Sequence, residues 1–251
     1  MNRAPMRTSF IVFPTASEAV PENDYTRSPF YRTLNGEWAF LRAERPGAEP
    51  EGFFRTGYDD SSWGVMPVPG IWELNGYGDP VYTNKPYPWY KFFEVKPPLV
   101  PHEQNYTGLY RRTVRVPADW KGRDAFIHIG SATSNVTLWV NGREVGYSED
   151  SKLEAEFDLT PYLKPGQTNL IAFQVFRWCD GTYLEDQDFF RYSGVGRDCY
   201  LYARNKKRIQ DIRITPDLDE AYKNGSLRVT LDLKGSGNVN LELLDAAGKA
   251  V

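Results

Sequence analysis

Short runs in which apolar and polar residues alternate recur along most of this 251-residue chain, and they limit its possible folds more than any other feature. Alternation with a period of two sends successive side chains to opposite faces of a β-strand. Many short strands separated by glycine, proline and asparagine are typical of an all-β sandwich. The runs predict strands at residues 37–43, 108–116, 125–130, 135–140, 154–159, 169–178 and 197–203.

Turn signals support this interpretation. Asn141 and Gly142 stand between two alternating runs and predict a type I′ hairpin, because both central residues of that turn need a positive φ. Pro165 and Gly166 predict a second turn. No stretch keeps apolar residues at i, i+3, i+4 and i+7, so helices are expected to be short or absent and a parallel βαβ fold is disfavoured.

Composition excludes several classes of partner. With 41% apolar residues the chain can bury a core, and its net charge of -3 is spread without long runs, which argues against nucleic acid and anionic membranes as partners. No apolar run approaches the roughly 20 residues of a membrane span, and the first residues lack the apolar centre of a secretory signal. We expect a soluble protein, and its compartment, cytoplasm or periplasm, stays open.

The cysteines and histidines are few. Cys179 and Cys199 are too few for a disulfide framework and are interpreted as two separate thiols, with a bridge between them as the alternative. Two histidines, His102 and His128, disfavour a histidine-based zinc or iron site. His128 alternates with isoleucines and is expected on one face of a strand.

The chain divides into three predicted parts. Residues 1–33 are irregular and predicted to form an extended arm, residues 34–204 the sandwich, and residues 205–251 a restart of about three strands. An immunoglobulin-like sandwich needs about seven strands, so this last part is interpreted as a truncated second domain. A small three-stranded appendage on the first sandwich is the alternative. Residues 67–101 are rich in proline and aromatic side chains, as in long loops that serve a site or an interface.

Residues 178–191, WCDGTYLEDQDFFR, mix acids with aromatic rings. Rings can cover the C–H surface of a sugar while carboxylates accept its hydroxyl protons, but a solvated turn over a core edge has the same composition. The four acids are Asp180, Glu185, Asp186 and Asp188. Asp186 and Asp188 would share one face of a strand about 6.5 Å apart, so spacing alone does not exclude them as a catalytic pair.

Structural roles are weighed beside the functional ones. Asp180 with Gly181 is interpreted as a turn, and Glu185, Asp186 and Arg191 as ion pairs that fix the loop. Trp139 is predicted to lie in the core, whereas Trp178 and Phe189 could line a site or pack beneath it. Asn84 by itself has the character of a turn residue.

Several longer strings resemble the N-terminal region of LacZ-type bacterial β-galactosidases of glycoside hydrolase family 2, over about residues 2–202. The strings are SFIVFPTASEA, LNGEWAF, VPGIWELNGYGDPVYTNKPYP, TGLYRRTV and the long run from LWVNGREVGY to RDCYLY. The YTN and DGTYLEDQD strings, at the right places relative to each other, are the most specific.

The resemblance implies an all-β chain, in which a jelly-roll sandwich is followed by part of an immunoglobulin-like sandwich. It also implies that the chain is part of an enzyme whose catalytic glutamates lie in a TIM barrel that this sequence does not include. The fragment alone is expected to be inactive. Asn84 and Asp188 match residues that contact the galactoside, and Asp188 also matches a sodium ligand whose companions come from the barrel. The parent enzyme is expected to use sodium and magnesium, to act on β-galactosides such as lactose, and to be a homo-oligomer.

The sequence departs from the family at three places. Cys179 replaces a common serine, Phe190 replaces a frequent tryptophan, and Lys85-Pro86 after Asn84 is a variable pair. A self-sufficient carbohydrate-binding module and a purely structural domain remain alternative functions.

Overall fold

The computed structural model describes residues 1–19, 24–84 and 87–251. The chain separates into two compact units, one formed by residues 1–6 and 11–204 and the other by residues 7–10 and 205–251. Helices in the described part are short 3-10 turns, at Tyr25–Arg27, Glu73–Asn75, Ala118–Trp120 and Asp180–Leu184. None of them has the length and apolar character needed to cross a membrane.

The first unit is built from antiparallel strands. They are β1 (Tyr31–Thr33), β2 (Gly36–Ala43), β3 (Gly64–Val68), β4 (Gly70–Ile71), β5 (Tyr82–Thr83), β6 (Thr107–Arg115), β7 (Asp124–Ile129), β8 (Val136–Val140), β9 (Arg143–Ser148), β10 (Ala155–Asp158), β11 (Thr168–Phe176), β12 (Phe189–Phe190), β13 (Gly194–Val195) and β14 (Cys199–Arg204). One sheet has the order β1-β14-β7-β10 and the other β3-β2-β6-β11-β8-β9. The prediction of an all-β sandwich is confirmed, and each of the seven predicted runs is a strand.

The main core consists of side chains from both sheets. Ile127 and Leu201 come from the four-stranded sheet, and Trp38, Tyr110 and Phe173 come from the six-stranded sheet. Each of these side chains is completely or almost completely buried. Because buried apolar surface is the main favourable contribution to folding, this layer holds the two sheets face to face.

A second apolar cluster covers the outer face of the six-stranded sheet. Leu109 and Ala172 point into it, whereas their neighbours Tyr110 and Phe173 point into the main core. Phe53 and Phe54, from the loop before β3, pack there on Trp139, with ring centroids 5.4 and 5.3 Å away. Burial on both faces explains why β11 is almost continuously apolar, and the core position predicted for Trp139 is confirmed.

Arg111 holds the covering loop on this outer face. Its guanidinium is buried, pairs with Asp60 at 2.6 Å, and donates to the carbonyl oxygens of Arg55 and Tyr58 at 3.1 and 3.2 Å. A buried arginine needs such partners, because an unpaired charge inside a protein is costly. The loop and the strand therefore depend on each other.

The predicted turn and histidine assignments are confirmed. Asn141 and Gly142 connect β8 to β9 with φ of 52° and 82°. His128 lies on β7, where its Nδ1 is 3.2 Å from a carboxylate oxygen of Glu156. Its ring stacks on that of Tyr200 at 4.5 Å.

Part of the predicted arm lies along the sandwich. The backbone amide of Ala4 donates to the carbonyl of Glu156 at 2.7 Å, and that of Tyr147 donates to the carbonyl of Met1 at 3.0 Å. The last three residues of the predicted arm are an edge strand, β1. Residues 20–23 of the arm lie outside the described residues.

The second unit contains the hairpin of β15 (Arg208–Leu218) and β16 (Gly225–Lys234). Thr8 belongs to this unit and donates through its hydroxyl to the carbonyl of Ile212 at 2.9 Å. The third strand predicted after residue 237 is wrong, since only an isolated bridge between Leu244 and Ala250 forms there. A strand needs a hydrogen-bonded partner, and this segment pairs with neither strand of the hairpin. That the unit begins an immunoglobulin-like domain stays a prediction.

Trp72 fastens the long proline-rich loop to the sandwich. Its side chain is 1% exposed, and its indole nitrogen donates to the hydroxyl of Tyr110 at 2.5 Å. Two glycines leave room for the ring: a Cβ atom on Gly108 would lie 2.2 Å from it, and one on Gly194 would lie 2.9 Å from it. Gly194 also has a φ of 112°, which side chains rarely adopt.

Gly108→Ala is therefore expected to destabilise the protein. The new methyl group would overlap the buried Trp72 ring, which has no room to move, so the free energy of unfolding should fall by about 2 kcal/mol or more. Urea denaturation of the 251-residue chain measures this change.

Gly57→Ala is the matched control, because a Cβ atom at Gly57 meets nothing within 4 Å and its φ is not positive. It should change the free energy of unfolding by less than about 0.5 kcal/mol. Equal effects of the two substitutions would contradict the proposed role of Gly108.

Candidate functional site

Two short ribbons bring the proline-rich loop and the acidic segment together. In the first, Ile71 and Gly70 of β4 pair with Gly194 and Val195 of β13. In the second, β5 pairs with β12, with Thr83 opposite Phe189 and Tyr82 opposite Phe190. The YTN and DFF strings, about a hundred residues apart in sequence, are thus neighbours in space.

The second ribbon has one inward and one outward face. Thr83 is 8% exposed and faces inward, whereas Tyr82 and Phe190 are 58% and 52% exposed and face outward. Asn84 and Asp188 directly follow and precede the paired residues, and both are exposed. Both therefore lie at the same end of the ribbon, next to the paired residues. The variable pair Lys85-Pro86 lies outside the described residues.

Tyr82 links the two strands through its hydroxyl. It donates a hydrogen bond of 2.5 Å to Oδ1 of Asp188. This bond to a carboxylate raises the pKa of Tyr82 above its usual value, so the phenol keeps its proton and remains a donor. Oδ2 of Asp188 accepts no hydrogen bond from any residue that the structure describes.

The exposed rings form a continuous aromatic surface beside Asp188. The ring of Phe190 lies 5.3 Å from that of Tyr82 at an interplanar angle of 59°. On its other side it stacks on Tyr192, also at 5.3 Å but nearly parallel, at 4°. Surfaces of this kind can contact the C–H face of a sugar ring.

Arg191 fixes the acidic loop from below. Its guanidinium is 2.5 Å from a carboxylate oxygen of Asp186 and donates to the carbonyl oxygens of Gln187 and Glu185 at 2.6 and 3.3 Å. The predicted ion pair of Asp186 with Arg191 is confirmed. The carboxylate of Glu185 instead accepts from the backbone amide of Ser151 at 3.1 Å and from its hydroxyl.

These contacts decide which acids are available to a ligand. The carboxylates of Glu185 and Asp186 are both engaged within the protein, and Asp186 is committed to Arg191. Asp186 and Asp188 are therefore not set up as a nucleophile and acid pair, which would need two carboxyl groups converging on one bond. Asp188, in contrast to Glu185 and Asp186, is exposed and keeps one carboxylate oxygen without a hydrogen bond from the residues that the structure describes.

Trp178 and Phe189 both lie beneath the exposed face. Trp178 is 5% exposed, packs against Trp89 at 5.3 Å, and exchanges two hydrogen bonds with Asn105 through its backbone. Phe189 is half-buried under the guanidinium of Arg191, 4.4 Å from its ring centroid. Trp178 is therefore packed within the protein, whereas Phe189 is partly exposed. They border a cavity of about 30 Å³ that is also lined by Lys152, Arg177, Glu185 and Arg191.

Asp180 and Gly181, predicted as a turn, begin the 3-10 helix Asp180–Leu184. Within the described residues, Asp180 groups with Glu149 and Cys179, each offering one ligand atom within 4.8 Å of the others. Burial raises the pKa of the Cys179 thiol, which disfavours the thiolate that a metal ion would need. Cys179 and Cys199 are both buried free thiols, as predicted.

Tyr82 was missed at the sequence level. The YTN string pointed to Asn84, and the tyrosine two residues earlier carries no signal for binding by itself. Alternation along a strand could have found it, because residues two apart share a face. Its partner Asp188, however, is known only from the pairing of β5 with β12.

The sequence of this chain is similar to the sequences of one family of known proteins. Residues 31–205 match the family model for the sugar binding domain of glycosyl hydrolases family 2. The chain is 40% identical over 233 residues to a β-galactosidase of Priestia megaterium, covering 93% of this chain and 22% of that protein. A β-galactosidase of Vibrio vulnificus is 45% identical over 199 residues, which cover 79% of this chain and 19% of that protein.

Solved structures show the same fold. The apo β-glucuronidase of Ruminococcus gnavus superposes with a TM-score of 0.63 at 20% identity, over 88% of this chain and 37% of that one. The chain spans about a fifth of the length of the curated relatives. Since the family model covers most of its residues, the chain belongs to glycosyl hydrolase family 2, and residues 31–205 are its sugar binding domain.

Proposed function

We propose that this chain is the N-terminal sugar-binding portion of a retaining β-galactosidase that hydrolyses terminal β-D-galactosides such as lactose. The similarity to β-galactosidases at 40% and 45% identity supports this substrate class. The observation that carries the proposal is the pairing of β5 with β12, which brings the YTN string beside Asp188 of the LEDQD string.

Asn84 and Asp188 would bind the galactosyl unit. The free Oδ2 of Asp188 can accept a sugar hydroxyl, and the amide of Asn84 can both donate and accept. The exposed rings of Tyr82 and Phe190 lie beside them, where they can contact apolar parts of the ligand. This combination of one charged acceptor, one amide and aromatic surface is suited to a polyhydroxylated ring.

The chemistry of Asp188 also fits a sodium ion. A hard cation prefers carboxylate, carbonyl and hydroxyl oxygens, and Asp188 offers one outward carboxylate oxygen. We assign it as a single ligand, with the remaining ligands from the rest of the polypeptide. When bound, sodium would supply a positive charge that orients a galactosyl hydroxyl. Magnesium in the parent enzyme stays a prediction, since no residue of this chain is assigned to it.

The contribution of this chain to the reaction is positioning. Double displacement needs two carboxyl groups roughly 5 to 5.5 Å apart, and we assign these to glutamates in a downstream TIM barrel. Asp188 and Asn84 would hold the galactosyl unit in the orientation that this attack requires. Contacts with remote parts of a substrate can provide several kcal/mol of the catalytic effect.

Asp188→Asn in the full-length polypeptide tests this role. The amide removes the negative charge but keeps the shape, so kcat/KM for a nitrophenyl β-galactoside should fall about 30-fold or more, a loss of about 2 kcal/mol. Asp119→Asn is the control and should leave kcat/KM unchanged, because Asp119 is an exposed aspartate on the 3-10 helix Ala118–Trp120, away from the proposed site. A value for Asp188→Asn within about threefold of wild type would contradict the assignment.

A self-sufficient carbohydrate-binding module is the second candidate function. Tyr90 and Phe92, in the proline-rich loop, are 40% and 72% exposed and could serve as its platform.

We expect calorimetric titration of the 251-residue chain with galactose and lactose at tens of millimolar to show no saturable binding, although even millimolar affinity, about -4 kcal/mol, would register. Binding that disappears in Asp188→Ala would favour the module instead. Absence of any effect of Asp188→Asn in the full-length polypeptide would favour a structural domain.

A further inference from the structure

We propose that Tyr82 is a positioning residue that sets the orientation of the Asp188 carboxylate toward its ligand. This inference rests on the proposed function, because it deepens the role given there to Asp188. It begins from the 2.5 Å hydrogen bond between the Tyr82 hydroxyl and Oδ1 of Asp188. Tyr82 also lies two residues before Asn84, so it is close in sequence to one proposed ligand-binding residue and hydrogen-bonded to the other.

Asp188 needs such a partner because of where it stands. It is exposed and directly precedes a two-residue strand, where an aspartate side chain can adopt several rotamers. Arg191, the nearest cation in sequence, is committed to Asp186 and to backbone carbonyls of the loop. Among the residues that the structure describes, the hydrogen bond from Tyr82 is the one that the Asp188 carboxylate accepts, and no ion pair joins it.

A tyrosine suits this task better than a lysine or arginine. A neutral hydroxyl fixes the carboxylate by donating one hydrogen bond, and it leaves the full negative charge in place. A cationic partner would compensate that charge and compete with a sodium ion or weaken the attraction for a sugar hydroxyl. Since the phenol occupies Oδ1, it leaves Oδ2 for the ligand.

The ring of Tyr82 is itself held in place. It packs against Phe190, directly opposite on the ribbon, and Phe190 in turn stacks on Tyr192. A donor that is ordered before the ligand arrives lowers the entropic cost of binding. The aromatic surface thus supports the polar pair in addition to any contact with sugar.

The kinetic test uses Tyr82→Phe in the full-length polypeptide, which keeps the ring and removes only the hydroxyl. We expect kcat/KM for a nitrophenyl β-galactoside to fall about tenfold, mainly through a higher KM. In an Asp188→Ala background the same substitution should change kcat/KM by less than about twofold, because alanine offers no acceptor for the Tyr82 hydroxyl. Equal effects in both backgrounds would overturn the proposal.

Tyr25→Phe is the matched control. Tyr25 is an exposed tyrosine away from the proposed site, where its ring packs on Tyr31, and its hydroxyl makes no hydrogen bond with the residues that the structure describes. This variant should retain the wild-type KM and kcat. A loss equal to that of Tyr82→Phe would mean that removal of an unrelated tyrosine hydroxyl has the same effect, and would contradict a specific role for the Tyr82 hydroxyl.

A crystallographic test separates this inference from the proposed function. In crystals of the wild-type 251-residue chain, the Asp188 side chain should occupy one conformer. In crystals of Tyr82→Phe, it should occupy several conformers or a single different conformer. An unchanged single conformer would overturn the positioning role, whatever the activity. If the full-length polypeptide lacks β-galactosidase activity, the proposed function fails, and the crystal structures still decide whether Tyr82 orients Asp188.

Discussion

The burial of Trp72 between two glycines is the contact on which the site depends. Its indole lies over Gly108 of the central strand β6 and against Gly194 of β13, and it donates to Tyr110 in the main core. One side chain therefore joins the proline-rich loop, the strand β13 that follows the acidic segment, and the sandwich. A loop rich in proline forms few backbone hydrogen bonds of its own, so its position must come from such contacts.

Two very short ribbons, β4 with β13 and β5 with β12, connect the proline-rich loop to the acidic segment and the residues that follow it. A ribbon of two residues per strand is not stable alone, and here Arg191 supports it, because its guanidinium packs on Phe189 and its backbone amide donates to the carbonyl of Val81. Arg191 takes up the carboxylate of Asp186 and two backbone carbonyls, which fixes the acidic loop. The outward face can then be polar and aromatic without weakening the fold.

The four acids of the segment illustrate how similar residues receive different roles. Glu185 is bound by Ser151 and Asp186 by Arg191, whereas Asp180 starts a 3-10 helix. Asp188 receives a single neutral partner and keeps an outward oxygen. Two acids are thus tied within the protein, whereas Asp180 and Asp188 are exposed, and of these Asp188 lies beside the exposed aromatic rings.

The sequence by itself determined the all-β fold, the seven main strands and the Asn141-Gly142 hairpin, because alternation and turn chemistry are local properties. It also pointed to Asn84 and Asp188, through strings that resemble a family. Only the tertiary structure decided that these two residues lie at the same end of one ribbon, that Trp178 is buried, and that Tyr82 donates a hydrogen bond to Asp188. Those facts depend on pairing between segments about a hundred residues apart, and no local pattern specifies such pairing. The third strand predicted after residue 237 failed for the same reason, since alternation indicates a strand but does not supply its partner.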